Sequence, residues 1–191
     1  MAIKLHTQQQ IDFVVEHLKP KLQENKIKDV RLFLSMGMPR PEEFNLEKGD
    51  REDIIYWLYK NLGTEEYFKD STAIFPFEFE YLKDRTFTIP NTITTIYQYA
   101  FSNSNIRKII IPKSVKSIGA CAFCESEIQE VVFEDFSNVK LDSGVFVDSN
   151  LDIIYVEDNA DESALTVFHT RIPYVTIVSS STGEVLREAE N

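Results

Sequence analysis

The sequence predicts an α+β protein in which a small helical unit, residues 1–70, is followed by a short repeat solenoid, residues 71–191, with a parallel sheet on one face. Two observations support this fold class. Between residues 86 and 177 a strand-like hydrophobic motif occurs four times, at spacings of 22, 23 and 21 residues, and such a period is typical of solenoids. Apolar residues with helical spacing occur instead in the first 70 residues.

The first helix is predicted by a capping box and an apolar stripe. Thr7 can accept a hydrogen bond as the N-cap residue, and Gln10 completes the box three positions later. The stripe has helical spacing and comprises Ile11, Val14, Val15, Leu18 and Leu22. Pro20 lies inside the stripe and lacks the backbone N–H that a helix interior needs. We therefore expect a helix from about residue 7 to about residue 19, ending or kinking there.

Further helices are predicted before the solenoid. Residues 27–34 fit both a helix and an alternating strand, and we favour the helix. Residues 37–41, with one glycine and two prolines, predict a loop. A clearer helix should begin at Asp50 as its N-cap, end at Gly63 and be followed by a short helix over residues 64–69.

Both ends of the solenoid are predicted to carry caps, because an uncapped stack would expose apolar surface. At the N-terminal end, alternate positions are aromatic, as in a half-buried strand: Phe75, Phe77, Phe79 and Tyr81. Phe79 also precedes Phe101 by 22 residues, so the same segment can be interpreted as a degenerate first repeat. At the C-terminal end, residues 175–186 predict a strand that continues into either a hairpin or a short helix.

Each repeat unit contains a strand with inward-facing apolar residues. The four strands read Ile106-x-x-Ile109-x-Ile111, Ile128-x-x-Val131-x-Phe133, Leu151-x-x-Ile154-x-Val156 and Ile172-x-x-Val175-x-Ile177. A phenylalanine precedes each strand, at Phe101, Phe123, Phe146 and, one residue closer to its strand, Phe168. We expect the first three phenylalanines to form a buried ladder.

Two of the units share a more detailed pattern. Ile89-Pro90 and Ala100-Phe101 recur as Ile111-Pro112 and Ala122-Phe123, within I-P-x-x-[IV]-x-x-I-x-x-x-A-F. This pattern resembles the leucine-rich repeats of the BspA-like type, over about residues 86–177. The resemblance implies a right-handed stack of short strands with a parallel sheet on one face, and a role in recognition. The N-terminal helical region carries no such resemblance.

Charge is distributed unevenly along the chain, whose net charge is −11. Residues 86–124 contain four basic and no acidic residues, a charge of +4, whereas residues 125–191 contain three basic and fifteen acidic residues, a charge of −12. One end of the solenoid should therefore be basic and the other acidic. Direct nucleic-acid binding is not expected at a pI of about 4.8, because that affinity depends on neutralising phosphates.

The sequence carries few signals of location. The first ten residues contain no apolar stretch of signal-peptide length, and no window approaches the roughly 18 apolar residues of a membrane span. Two cysteines in 191 residues agree with a reducing compartment. We therefore expect a cytoplasmic protein that does not contact a membrane.

Residues capable of chemistry are present, but not in patterns that predict catalysis. Cys121 and Cys124 form a C-x-x-C pair without the second pair that a zinc site needs, and they occupy repeat positions held one unit earlier by Tyr99 and Ser102. The three histidines, His6, His17 and His169, are far apart. Glu157-Asp158 and Asp161-Glu162 suit a solvated surface. We expect no catalytic residue, metal or cofactor.

The outward residues of the strands are the candidate site, because side chains in a strand alternate between two faces. The set that we predict to bind a partner comprises Lys108, Ile110, Glu130, Val132, Ile153, Tyr155 and Tyr174. Its middle is apolar, as interaction patches often are, although β-branched and aromatic residues also simply suit a sheet. Tyr155 and Tyr174 are the expected hot spots.

Three functional hypotheses follow. The leading one is a non-catalytic protein–protein interaction module, in which a protein partner or a second copy of the chain docks on the sheet. The alternative is an acidic inhibitor that occupies a nucleic-acid-binding site on a host or rival protein. The third is an enzyme with a site in the helical unit.

Overall fold

The computed structural model describes residues 5, 7–24, 26–36, 49–161, 163, 165, 168, 172 and 174–189. Within these residues, a helical unit precedes a β-solenoid of about four turns built on parallel sheets, which confirms the predicted α+β fold class. The loop predicted at residues 37–41 lies outside the described residues, as do His6 and His169.

The helical unit consists of α1 (Gln8–Phe13), α2 (Lys19–Gln23), α3 (Ile27–Met36) and α4 (Asp50–Tyr67). The capping box of α1 is confirmed, since the Gln10 N–H donates to Thr7 Oγ1 at 3.1 Å and the Thr7 N–H donates to Gln10 Oε1 at 3.2 Å. The helix predicted for residues 27–34 is confirmed as α3.

Pro20 does not end the first helix: of the two outcomes expected near Lys19, an end or a kinked continuation, the helix continues. A π-helical turn over Val14–Leu18 joins α1 to α2, and the Lys19 N–H donates to the Val14 carbonyl. Pro20 then lies in the first turn of α2, where its missing N–H costs little. The wider turn thus accommodates the proline and allows the helix to continue.

Helix α4 differs from its prediction at the first residue. Its N-cap is Gly49, in the left-handed region at φ 95°, and Asp50 is the first helical residue. Gly63 interrupts α4 with φ 76° and ψ 164°, so the predicted break at this glycine is confirmed, with a short helical segment beyond it.

Among its described residues, the solenoid contains ten short strands, which are β1 (Ala73–Ile74), β2 (Thr86–Thr88), β3 (Thr95–Ile96), β4 (Lys108–Ile111), β5 (Ser117–Ile118), β6 (Glu130–Phe133), β7 (Lys140–Leu141), β8 (Ile153–Val156), β9 (Thr176–Ser179) and β10 (Val185–Arg187). They form a four-stranded sheet in the order β1-β3-β5-β7 and a six-stranded sheet in the order β10-β9-β8-β6-β4-β2. All pairs are parallel except β9 with β10, which confirms a C-terminal hairpin rather than a helix.

The segment with alternating aromatic residues is a first repeat and not a strand. Strand β1 ends at Ile74, and the following residues form turns. Phe77 and Tyr81 adopt φ 59°, like Tyr99 one repeat later at φ 57°, and a strand cannot contain such residues. Phe79 accordingly stacks on Phe101, with ring centroids 5.4 Å apart.

The predicted phenylalanine ladder is confirmed. The rings of Phe101 and Phe123 are 5.1 Å apart and 3° from parallel, and those of Phe123 and Phe146 are 5.4 Å apart at 17°. Phe168 instead packs edge to face on Phe136, with centroids 5.2 Å apart. The stack therefore runs through the middle of the solenoid, and its last predicted member packs elsewhere.

The predicted alignment of the fourth unit is wrong by two residues. Ile154 pairs with Ile177, a step of 23 residues (177 minus 154), whereas the sequence motif had aligned Ile154 with Val175. A two-residue shift keeps every side chain on its original face, so the hydrophobic alternation is the same in both registers.

A buried ion pair joins the helical unit to the first repeat. Arg31 Nε donates to Glu78 Oε1 at 2.6 Å, and Arg31 also donates from Nη2 to Glu78 Oε2 at 3.0 Å. Tyr67 Oη donates to the same carboxylate at 2.9 Å, as does the Phe75 N–H at 2.8 Å. The helices thus cover the first turn of the solenoid, and one hydrophobic core continues through both parts.

Candidate protein-binding face of the solenoid

The register of the six-stranded sheet brings six of the seven predicted partner-binding residues together. Across β4, β6 and β8, Lys108 lies beside Glu130, which lies beside Ile153. In the same way, Ile110 lies beside Val132, which lies beside Tyr155. We refer to the outward residues of β4, β6 and β8 as the sheet face: Lys108, Ile110, Glu130, Val132, Ile153 and Tyr155.

Tyr174 does not belong to the sheet face. The position opposite Ile153 is occupied by Thr176, because β9 is shifted by two residues from the predicted alignment. Tyr174 precedes β9 and lines a surface groove of about 290 Å³ with Phe146 and Asp148. Partial burial, with the nearby Asp148 carboxylate, raises the pKa of Tyr174.

The sheet face is apolar and accessible along one row. Half of the Ile110 surface, 50%, is exposed, and Val132 and Tyr155 are half-buried beside it. The alternate residues Ile109, Val131 and Ile154 are fully buried. The strand alternation thus separates the core from a row of apolar side chains on the outside.

Lys108 connects all three strands of the sheet face. Its Nζ lies 2.6 Å from Glu130 Oε2 on the neighbouring strand and 5.5 Å from the ring centroid of Tyr155 on the next one. The hydrogen bond to Glu130 is the main cause of the raised pKa of Lys108. Because the pair is solvent-exposed, it adds little stability, but it orients both charges and the tyrosine ring.

Polar side chains, three of them charged, line the edge of the sheet face where the strands begin. Arg85, Arg107, Gln129 and Asp152 occupy equivalent exposed positions on successive turns, since each N–H donates to the carbonyl of the residue one turn earlier: Arg107 to Arg85 at 2.9 Å, Gln129 to Arg107 at 2.8 Å and Asp152 to Gln129 at 3.0 Å. The edge is thus positive beside β2 and β4 and negative beside β8.

The acidic pair Glu157-Asp158 has a structural role. Glu157 accepts hydrogen bonds from the N–H groups of Phe136 at 2.7 Å and Ser137 at 3.0 Å. Burial would raise the pKa of Glu157, but these donors outweigh it, so the pKa is lowered. Asp158 accepts from the hydroxyls of Ser179 and Ser181. Both carboxylates therefore hold neighbouring turns together.

The two cysteines lie in the same turn of the solenoid, at the positions that Tyr99 and Ser102 occupy one turn earlier. Both thiols are free, and the buried Cys124 Sγ donates to the Gly144 carbonyl at 3.2 Å. Burial, with the neighbouring Cys121, raises the pKa of the Cys124 thiol to about 12. Among the described residues, no group of three or more histidine, cysteine, aspartate or glutamate side chains is arranged to hold a metal ion.

Sequence reasoning missed a cavity of about 410 Å³ between α1, α4 and the first repeat. Phe79 and Ile55 form part of its apolar wall. Asp53 lies 3.0 Å from Lys83 Nζ, whereas Glu52 Oε2 is buried and has no hydrogen-bond partner among the described residues. Of the described residues that line it, none is a histidine, cysteine or serine. The cavity depends on contacts between distant segments, which no local motif encodes.

The stacked turns, the parallel sheet and the phenylalanine ladder define a leucine-rich-repeat solenoid. The chain belongs to the BspA type leucine rich repeat region family, whose model matches residues 70–185 in six copies, more than half of the 191 residues. Repeats of this type are generally protein–protein interaction modules, and the solenoid fold is typically non-catalytic. The helical unit is not assigned to a family.

The curated proteins that were compared include no match to this chain. In the part of the chain that the structure describes, none of the helices combines the length and the apolar character needed to cross a membrane.

Proposed function

We propose that the chain is a non-catalytic interaction module that binds a protein partner through the sheet face. One observation carries the proposal: Ile110, Val132 and Tyr155 form an accessible apolar row on three consecutive paired strands. Contiguous exposed apolar surface of this kind tends to be an interaction site.

The sheet also holds this row in a fixed arrangement. Strands β4, β6 and β8 are paired in continuous register, so neighbouring side chains stand about 4.8 Å apart on a backbone that does not need to be ordered on binding. Binding to a preorganised surface avoids part of the entropy cost of association. Tyr155, with an aromatic ring beside the Lys108 charge, has the character of a binding hot spot.

The charges around the row supply specificity. Lys108 and Glu130 lie beside the apolar residues, and Arg107 and Asp152 lie at the edge. Charges at the rim of an interface favour complementary partners and raise the association rate more than the affinity. The partner should therefore present an apolar centre flanked by charges of both signs.

The test is affinity capture from the source cells, comparing wild type with Val132→Glu/Tyr155→Ala. A matched control, Val147→Glu/Tyr97→Ala, changes the same residue types at sites that are 44% and 45% exposed and lie outside the sheet face. Melting temperatures should first show that both variants are folded. We expect proteins that bind wild type and the control and are lost from the sheet-face variant.

Retention of every captured protein by Val132→Glu/Tyr155→Ala would refute the proposal. Ionic strength separates it from the acidic-inhibitor hypothesis. Binding to an apolar row should persist when salt is raised from about 0.1 M to about 0.5 M, whereas a charge mimic should lose its targets steeply.

A further inference from the structure

We infer that the sheet face also binds a second copy of the chain, in a two-fold symmetric dimer whose axis runs parallel to the strands and passes beside Val132. This inference rests on the proposed function, since it assigns an occupant to the same surface. It is carried by two features that match when the order of the turns is reversed, the apolar row on β4, β6 and β8 and the edge charges Arg107 and Asp152.

The symmetry fixes which residues meet. A two-fold axis parallel to the strands reverses the order of the turns and keeps each position along the strand. Strand β4 therefore faces β8 of the partner, and β6 faces its own copy, as an isologous interface requires.

The apolar row matches itself under this operation. Ile110 meets the partner's Tyr155, and Val132 meets the partner's Val132. Because the interface is symmetric, the isoleucine–tyrosine contact forms twice. The residues that remain exposed in one chain are therefore covered by apolar side chains of the other.

The charged edge matches as well. Arg107, beside β4, meets the partner's Asp152, beside β8, and this contact also forms twice. Within the described residues, neither side chain makes a hydrogen bond or ion pair in its own chain. Glu130 lies near the axis and faces the partner's Glu130. Lys108, whose Nζ lies 2.6 Å from Glu130 Oε2, reduces the repulsion between the two carboxylates.

The other axis in the plane of the sheet is disfavoured. A two-fold axis along the solenoid would reverse each strand and set Lys108 against the partner's Ile110 and Glu130 against the partner's Val132. Covering charges with apolar groups costs free energy without compensation. The axis parallel to the strands also sets one charged residue against an apolar one, Lys108 against the partner's Ile153, but it does so for one residue of each chain instead of two. It alone also pairs Arg107 with the partner's Asp152, so the edge charges favour the axis parallel to the strands.

The size of the face predicts a weak dimer. Three strands and their flanking positions cover about 20 Å by 20 Å, or roughly 800 Å² for both copies, which is at the low end of specific interfaces. We therefore expect a dissociation constant on the order of 10–100 µM. Contacts at the charged edge should weaken with salt.

The test is a charge exchange followed by sedimentation velocity from about 10 to about 500 µM at low salt. Arg107→Asp and Asp152→Arg, each alone, should weaken dimerisation at least tenfold, because both contacts in each homodimer become repulsive. An equimolar mixture of the two variants should dimerise about as well as wild type, because both contacts in the mixed dimer pair an arginine with an aspartate. Arg85→Asp is the matched control.

Arg85 lies one turn further from the axis and faces no acid across it, so Arg85→Asp should have little effect and should not be rescued by Asp152→Arg. A wild type that stays monomeric to about 500 µM would overturn the inference, as would a mixture no better than its components. Neither result touches the proposed function, which fails only if the sheet-face variant keeps its captured partners.

Discussion

Replacing Phe123 with alanine should remove the middle ring of the phenylalanine ladder. The ring is fully buried and stacks on Phe101 at 5.1 Å and on Phe146 at 5.4 Å. It therefore contacts the turn before and the turn after its own, and its loss affects three consecutive turns.

The expected cost follows from these contacts. Burying a phenylalanine side chain stabilises a protein by about 1.5–3 kcal/mol, and each ring pair adds about 0.5–1.5 kcal/mol. A change of about 4 kcal/mol in the free energy of unfolding agrees with the range of about 3–5 kcal/mol for buried Phe→Ala substitutions. For a chain of this length, that loss lowers the melting temperature by about 8–16 °C.

Thermal and urea unfolding followed by circular dichroism would measure the change. The matched control is Tyr99→Ala, because Tyr99 also stacks on a ring of the preceding turn at 5.1 Å but is 38% exposed. We expect the control to lose about 1 kcal/mol. A Phe123→Ala variant that melts within two degrees or so of wild type would show that the ladder does not support the solenoid.

Three further predictions concern the turns. Gly119→Ala should cost about 2 kcal/mol in thermal unfolding, because its Cβ would lie 2.6 Å from the Gln98 nitrogen one turn earlier; an unchanged melting temperature would contradict this. Glu157→Gln should lower the free energy of unfolding in urea above about pH 4.3. The difference in this free energy between variant and wild type should vanish as the pH falls through the lowered pKa of Glu157. A difference that does not change with pH would refute the stabilising role of the Glu157 carboxylate. In a Cys121→Ser variant, native protein at pH 8 should show no fast-reacting thiol, because burial still raises the pKa of the Cys124 thiol above its usual value, and one thiol should appear in urea; a fast-reacting thiol in the native variant would contradict this.

Much of the solenoid could be predicted from the period of its sequence. Inward positions such as Ile109 and Val131 must be apolar because each turn covers the next, and this requirement recurs at every turn. The same repetition fixed the phenylalanine ladder and six residues of the sheet face. Local signals also located the capping box at Thr7 and the break at Gly63.

The errors arose where local patterns were degenerate. Alternation with a period of two cannot distinguish registers that differ by two residues, which misplaced Tyr174. Alternating aromatics at residues 75–81 suited both a strand and a degenerate first repeat, and the left-handed residues Phe77 and Tyr81 show that the segment is the repeat. The Arg31–Glu78 pair joins segments 47 residues apart, and no local motif reports such a contact.

The central claim, that the sheet face is the binding surface, is tested most directly by hydroxyl-radical footprinting of the chain alone and with a captured partner. Ile110 and Tyr155 on the sheet face are compared with Tyr81 and Tyr97, which are exposed elsewhere at 52% and 45%. We expect the labelling of Ile110 and Tyr155 to fall severalfold on binding, while that of Tyr81 and Tyr97 is unchanged. Protection of Tyr81 and Tyr97, with Ile110 and Tyr155 labelled as in the free chain, would contradict it.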